Sequence, residues 1–579
     1  MHRFSVRSNR AHLVDWHEWG QEAFDLAVAQ DKPVALFLTA FWCGFCQRMD
    51  ETTLSSDEVI ALLNAYFIPI RVEESQRPDV DLRYNQDGWP TIAFMTPQGD
   101  HLFSVNHLAP EPFLDILAKT VRMFSDDRAT IETTVAETRS SLEQRSQAAR
   151  AESRLDARIV DEIVGIVEGL ADHAHGGYDD PTQNKFLHAE ANEFFLYLHG
   201  LTGEASYLDH VVQSLEKMQE SRTYDEIDGG FYRYSTKPDW REPHPEKLLA
   251  DQGSVLGNYL RTYLLTESEP ARSTAETLID YLLTTLSDAS TGAFLGCQDY
   301  VRPEGGALRE RPAQGQRQLL SIVDEYIYTD QNAQVISSLL EAWWVLGRED
   351  ARDRAVTALD FLWSRLRDPN GGMFHLFADG TSSVPDIVMD SAYMGKALLD
   401  AYAILGDSRY LERAKTLAEE LVRDFRNPDG GFWDVSGTGP AGMAKPMTVL
   451  TQNAVIALFF VKLADLTEDI GYRRQAHWAL RNFPNLHRSY NAFAAGFGEA
   501  LSRLLAPSLL LKLTGVAGSK DARALARAGL TNLRHPDLVL LFDSSGGADP
   551  ARVTARLDGR DVHPIEDPNG LTREALTGG

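Results

Sequence analysis

The chain has 579 residues and a formal net charge of −28, with 43% hydrophobic and 24% charged residues. That length calls for roughly two to four domains, and the composition is ordinary for a globular protein. The acidic balance argues against nonspecific binding to nucleic acid or to an anionic membrane surface. The three cysteines are too few for a disulfide framework, which suits a reducing, cytoplasmic setting.

The lead-in, residues 1–32, carries Trp16, Trp19 and Phe24 as core or docking aromatics, with an amphipathic helix from Gly20 to Gln30. Met1 to Arg10 has charge but no apolar run behind it, so no signal peptide is expected. No stretch approaches about eighteen consecutive apolar residues, so no membrane-spanning helix is expected either. Val34 to Leu38 reads as a buried strand and ends at Phe41-Trp42-Cys43-Gly44-Phe45-Cys46. Gln47 onward can begin a helix. A Cys-x-x-Cys at a helix start places Cys43 near unsatisfied N–H groups and the positive dipole end, which favours thiolate. Cys46, one turn later, can resolve a mixed disulfide. A helix follows Ser56, and a strand follows Tyr66. Gly88-Trp89-Pro90-Thr91 precedes a further strand, and Pro90 could hold a cis bond beside the thiols. Pro97 to Asp100 is a hairpin turn, and Glu111 to Phe124 closes the unit as a helix.

Residues 125–154 are polar and read as a partly helical connector. From 155 to about 505 helical periodicity dominates. It is punctuated by Gly176-Gly177-Tyr178, Gly229-Gly230-Phe231, Gly292-Ala293-Phe294, Gly371-Gly372-Met373-Phe374 and Gly430-Gly431-Phe432. An irregular spacing near sixty residues holds two helices and two loops, so six helical hairpins are expected. Outer helices fall near 155–170, 205–220, 271–286, 350–366, 408–424 and 469–482. Inner helices fall near 189–201, 247–265, 330–347, 389–405, 450–465 and 490–505. Twelve such helices close as an (α/α)6 toroid. Residues 506–579 form a small α/β segment, with strands at Asp537–Asp543 and Arg552–Leu557 and a helix around Asp521–Ala528. Asp543 to Gly547 lacks phosphate-loop spacing and reads as a loop.

An axial pocket would be lined by inner-helix starts and the loops before them. The candidates are Arg233, Tyr234, Trp240, His244, Glu246, Lys247, Asp251 and Gln252, with Asp330, Asp390 and Asn453 from other hairpins. Asp179, Lys185, Glu190, Gln331 and Gln452 extend the set, and Lys247 and Asp251 are four residues apart on one helical face. Carboxylates, a histidine and aromatics suit a sugar-like ligand. Glycoside hydrolysis would need two carboxylates at a defined separation. An epimerase would need paired acid/base groups, for which His188 and His375 join His244. These polar residues could equally cap helices in a toroid without catalysis. Cys297 reads as a buried or loop thiol. No metal site or cofactor is expected, since three cysteines fall short of the usual four zinc ligands.

Trp42-Cys43-x-x-Cys46, Pro90-Thr91 and the element order over 33–124 resemble the thioredoxin superfamily. The chain is more narrowly similar to the YyaL-like, spermatogenesis-associated thioredoxin-domain family. That likeness rests on Val14-Asp15-Trp16, Asp31-Lys32-Pro33-Val34, Arg77-Pro78-Asp79, Gly229-Gly230-Phe231-x-Arg233-Tyr234-Ser235 and Pro243-His244-x-Glu246-Lys247-x-x-x-Asp251-Gln252. It implies a multidomain chain: an α/β thioredoxin-like domain over 1–124, a connector over 125–154, a six-hairpin toroid over 155–505 and a C-terminal segment over 506–579. Thioredoxins carry a buried Asp on the strand before the motif; here that position reads Phe37. Family members often hold a second cysteine pair near the C-terminus, and no cysteine follows Cys297. The resemblance fixes the architecture rather than the activity; the leading reading is a thiol–disulfide oxidoreductase acting on a disulfide-bearing client, with Cys43 attacking, Cys46 resolving, Pro90 shaping the groove and the toroid as a substrate or partner surface. The alternatives are a carbohydrate-active toroid centred on His244, Glu246 and Asp251, and a noncatalytic scaffold.

Overall fold

The computed structural model describes residues 2–579 except 86–87, 132, 134, 138–153, 181, 302–319, 438, 441–445, 484, 516–518, 536, 544–551, 558–559, 562–567, 569–570 and 573–579. Much of the expected connector and the loop after Asp543 lie outside the described residues. The chain divides into two compact units, Met1–Glu152 with Val435–Met447, and Ser153–Asp434 with Thr448–Gly579.

The first unit holds α1 (Gln21–Gln30), β1 (Val34–Thr39), α2 (Gly44–Glu51), α3 (Asp57–Tyr66), β2 (Ile68–Glu73), α4 (Pro78–Tyr84), β3 (Thr91–Met95), β4 (His101–Val105) and α5 (Pro110–Asp126). Its sheet runs β2-β1-β3-β4. β1 pairs parallel with β2 and antiparallel with β3, and β3 pairs antiparallel with β4. Every residue of β1, β2 and β3 is buried, which is why these strands read as continuous apolar runs rather than alternating ones. Alternate side chains feed two clusters on opposite faces. Val34, Leu36 and Leu38 pack with Trp19, Phe24 and Val435, while Ala35 and Phe37 pack with Met49, Leu63 and Phe113.

Among the described residues of the second unit, twelve helices form a ring. The outer ones are α6 (Ala157–Leu170), α8 (Ala205–Gln219), α10 (Glu269–Thr284), α12 (Glu349–Arg365), α14 (Ser408–Asp424) and α16 (Ile470–Leu480). The inner ones are α7 (Ala189–Thr202), α9 (Leu249–Thr266), α11 (Thr329–Leu346), α13 (Val388–Leu405), α15 (Leu450–Thr467) and α17 (Ala495–Leu505). Inner helices touch in the cycle α7–α9–α11–α13–α15–α17 and back to α7, so the ring is closed. α15 is long and apolar enough, by length and composition, to cross a membrane; here it is an inner helix and mostly buried.

One loop design recurs around the ring. Asp172, Asp225, Asp288, Asp368 and Asn427 each use a side-chain oxygen to accept the N–H two residues on, at 2.8–3.0 Å. The glycines that follow take positive φ, as at Gly230 and Gly431, a conformation that carries little cost only without a Cβ. After Gly230, Ala293 and Gly431 the next residue is clamped by the fourth residue of an inner helix. Gln252 accepts the Phe231 N–H at 2.7 Å and donates to its carbonyl at 2.8 Å. Asn332 does the same for Phe294, and Asn453 for Phe432.

Two expectations shift. Inner helix α9 starts at Leu249, because Lys247–Leu248 forms a short strand, β7, beside Cys297 and Gln298. Cys297 therefore lies buried on a strand, β8 (Cys297–Val301), which pairs with β9 (Leu320–Asp324). Shorter strands lie among the toroid loops: β5 (Lys185–Phe186), β6 (Tyr234–Ser235), β10 (Ile327–Tyr328), β11 (Leu376–Ala378) and β12 (Thr381–Ser383). The C-terminal segment, part of the second unit, contains β13 (Leu509–Thr514), α18 (Lys520–Asn532), β14 (Leu538–Asp543), β15 (Arg552–Leu557) and β16 (Arg560–Asp561). Its sheet runs β14-β13-β15-β16, with β13 parallel to β14 and antiparallel to β15. That is the order and sense of the N-terminal sheet. Ser519 caps α18 and accepts from the Ala522 N–H, as Cys43 caps α2 and accepts from Cys46.

Candidate functional site

The dithiol sits where the sequence placed it, between the end of β1 and the first turn of α2. Cys43 is the N-cap, and its Sγ accepts the Cys46 N–H at 3.2 Å. The thiol also lies 3.4 Å from the Trp89 carbonyl. The Trp89–Pro90 bond is cis, and the loop before β3 brings the Trp89 carbonyl beside the Cys43 sulfur. Trp42 and Trp89 meet edge to face at 5.0 Å. Glu73, at the end of β2, is buried and accepts the Phe41 N–H at 3.0 Å, which fixes the turn entering the motif. Phe45, inside the motif, keeps 51% of its surface exposed. No disulfide joins Cys43, Cys46 or Cys297, and all three are buried.

In the second unit the expected lining residues divide into three groups. Trp240 is buried, and its Nε1–H donates to the His175 carbonyl at 3.0 Å. Lys247 is buried on Asp225 Oδ2 at 2.6 Å and the Gly229 carbonyl at 2.7 Å. Burial pulls its ammonium below the ordinary lysine value, against the attraction of Asp225. Since Lys247 precedes the helix, its four-residue spacing to Asp251 carries no helical pairing. Gln252 and Asn453 are loop clamps, and Lys185 pairs with Asp172 at 2.7 Å. These groups hold loops.

A second group forms a row of rings. Tyr234 stacks on Phe186 at 5.1 Å and on His244 at 4.9 Å. Both faces of Tyr234 are thereby covered. His244 is paired with the buried Glu246, whose other oxygen lies 3.6 Å from Arg233. His188, next to Phe186 and Phe493, is buried, and burial lowers it to about 4.

The third group occupies first turns of inner helices: Glu190, Asp251, Asp330, Gln331, Asp390 and Gln452. His375, just before β11 (Leu376–Ala378), lies against Asp390, its Nδ1 2.9 Å and 3.1 Å from the two carboxylate oxygens. Asp330 Oδ1 is 3.8 Å from the same nitrogen. Burial pushes Asp390 up to about 6, with Asp330 adding to the effect and His375 opposing it. Deeper along the inner helices runs a charged band that sequence reading missed. Arg261 pairs with Glu341 at 3.1 Å and with Glu193, Lys462 with Asp400, and Arg503 with Glu499 at 2.8 Å. Arg261, Glu341, Asp400 and Lys462 are each the thirteenth residue of their helix. That recurrence was a readable signal.

Residues 4–143 match the family model of thioredoxin DsbH type, described as a protein of unknown function, DUF255. The N-terminal unit is a DsbH-like thioredoxin domain. The chain is similar to human spermatogenesis-associated protein 20, 26% identical over 326 residues, which cover 52% of this chain and 40% of the human protein. It is also similar to the thiol:disulfide interchange protein DsbD of Cronobacter sakazakii, 36% identical over 102 residues, 17% of this chain and 18% of that one. The chain thus spans less than half the length of these relatives. Among solved structures, cellobiose 2-epimerase from Spirochaeta thermophila overlaps 63% of this chain and 98% of its own, with 14% identity and a TM-score of 0.48.

Inside the DsbH-like domain, Phe37 is fully buried between Trp16 and Phe113. A carboxylate at that position would face apolar side chains. The buried charges lie elsewhere: Asp50 and Arg71 form a two-point pair at 2.9 and 3.0 Å. Asp50 is one turn beyond Cys46 on α2. Burial drives the Cys46 thiol well above the ordinary cysteine value, aided by its contact with Cys43, while the Arg71 guanidinium acts the other way. The two sulfurs are therefore unequal. Cys43 has a helix start behind it, and Cys46 is held as a buried thiol.

Proposed function

We propose that the DsbH-like domain carries out thiol–disulfide exchange. The observation that supports this best is Cys43 at the N-cap of α2, accepting the Cys46 N–H and facing the backbone before Pro90. The Cys43 thiolate attacks one sulfur of a client disulfide. A mixed disulfide forms and the client's other sulfur leaves as thiolate. Cys46 then loses its proton to the first client thiolate released and attacks Cys43 Sγ, breaking the mixed disulfide and releasing the second client sulfur as thiolate. The domain is left oxidised, and two electrons have passed to the client. A dithiol donor returns it to the reduced form. Phe45 supplies exposed apolar surface beside the sulfurs for the client chain. Three cysteines without disulfides suit a reducing compartment, and we place the reaction in the cytoplasm. The toroid would supply a substrate or partner surface for a client or a small sugar-like ligand.

The test is the midpoint potential of the Cys43–Cys46 couple, together with reduction of a model disulfide protein. We expect a potential in the thioredoxin-to-glutaredoxin range, roughly −270 to −200 mV, and loss of turnover in Cys43→Ser. A couple that never oxidises reversibly would overturn the proposal.

A further inference from the structure

Thiol exchange leaves the cluster of Asp330 with the buried His375 and Asp390 without a role. Its side chains come from three separate elements: the first turn of α11, the residue before β11 and the first turn of α13. One donor atom from each residue lies within 4.8 Å of the other two. Donors held about 2.1 Å from one ion can lie up to about 4.2 Å apart, so a small closure brings all three onto one centre. Asp330 Oδ1 is shut off from solvent and takes no hydrogen bond. An acceptor in that condition calls for a partner. The charge is also one-sided. Among the described residues, His375 is the only ion-pair partner of Asp330 or Asp390, so two carboxylates face one imidazole with no lysine or arginine.

We propose that Asp330, His375 and Asp390 bind one first-row divalent cation of the Zn2+ or Mn2+ type. One imidazole nitrogen with two carboxylates is a borderline donor set that suits these ions. Ca2+ would need about six or more oxygens, which three side chains do not supply. The remaining positions on the ion would be open to water or to an oxygen ligand. The site needs neither cysteine of the DsbH-like domain.

The experiment uses the full chain, stripped with chelator, and titrates MnCl2 by calorimetry and electron paramagnetic resonance. Mn2+ is the first probe because thiols compete for zinc; ZnCl2 follows on a Cys43→Ser/Cys46→Ser background. We expect one Mn2+ per chain with Kd below about 1 mM. A spin-echo modulation from one imidazole nitrogen should appear, and His375→Gln should remove it. Asp330→Asn should weaken binding at least about tenfold. Because Asp330 Oδ1 makes no hydrogen bond, that variant should melt, metal-free, where the parent does. Absence of saturable binding by either ion overturns the proposal. So does binding that survives both Asp330→Asn and His375→Gln unchanged.

Discussion

Single residues set the chemistry of the dithiol. With Cys46 held up by burial, brief alkylation at neutral pH should label Cys43 and spare Cys46, read by peptide mass spectrometry; equal labelling would contradict the asymmetry. Asp50 and Arg71 are both buried, so Asp50→Ala leaves a guanidinium without its partner. We expect a loss of about 3–5 kcal/mol in urea unfolding, far more than an exposed pair would cost. Cys43, Cys46 and Pro90 were legible in the sequence because each signal is local: two thiols at a helix start, and a proline before a strand. Asp50 and Arg71 were not, since nothing in the chain says that a helix residue meets a strand residue twenty-one positions on. His244 and Glu246 are two residues apart and could be read as a pair. His375 and Asp390 are fifteen apart, and only the register of the loops brings them together.

At the level of elements, the clamp explains why the glycine loops repeat. Asn332→Ala would leave the Phe294 N–H and carbonyl buried without partners, and we expect about 2–4 kcal/mol of destabilisation. Asn332→Asp should recover the N–H contact but not the carbonyl one, and so fall between. Thermal unfolding of the three chains orders them. The clamp also shows which part of the axial lining sequence reading could separate. The fourth residue of three inner helices, Gln252, Asn332 and Asn453, serves the fold, whereas second and third residues include Glu190, Asp251, Asp330, Gln331, Asp390 and Gln452. Reading first turns as one polar group merged the two. Two beyond the clamped Phe231, Phe294 and Phe432 stand Arg233, Gly296 and Asp434, and the same place after Met373 holds His375, so the loops differ at this position.

At the scale of the molecule, acid should weaken the second unit over a defined range. Burial lowers His188 and His210 to about 4, below the value near 6.5 of the unfolded chain. Between those limits the unfolded state binds the extra protons, so stability falls as pH falls, by up to about 1.4 kcal/mol per pH unit for each histidine. Denaturant unfolding from pH 7 to 4 reads this, and His210→Gln should flatten the slope. The architecture of both units followed from strand and helix periodicity, while the small loop strands did not, because two- or three-residue ladders leave no period to detect. The clamps have one more consequence, and it concerns time. Each ties residues that lie only twenty-one to thirty-eight positions apart, so a hairpin can settle before its neighbours exist. The contact of α17 with α7 joins residues about three hundred positions apart, and its chain entropy comes due last. Ring closure is therefore the slow event, and a chain emerging from the ribosome would carry five finished hairpins around an open seam until its sixth arrives.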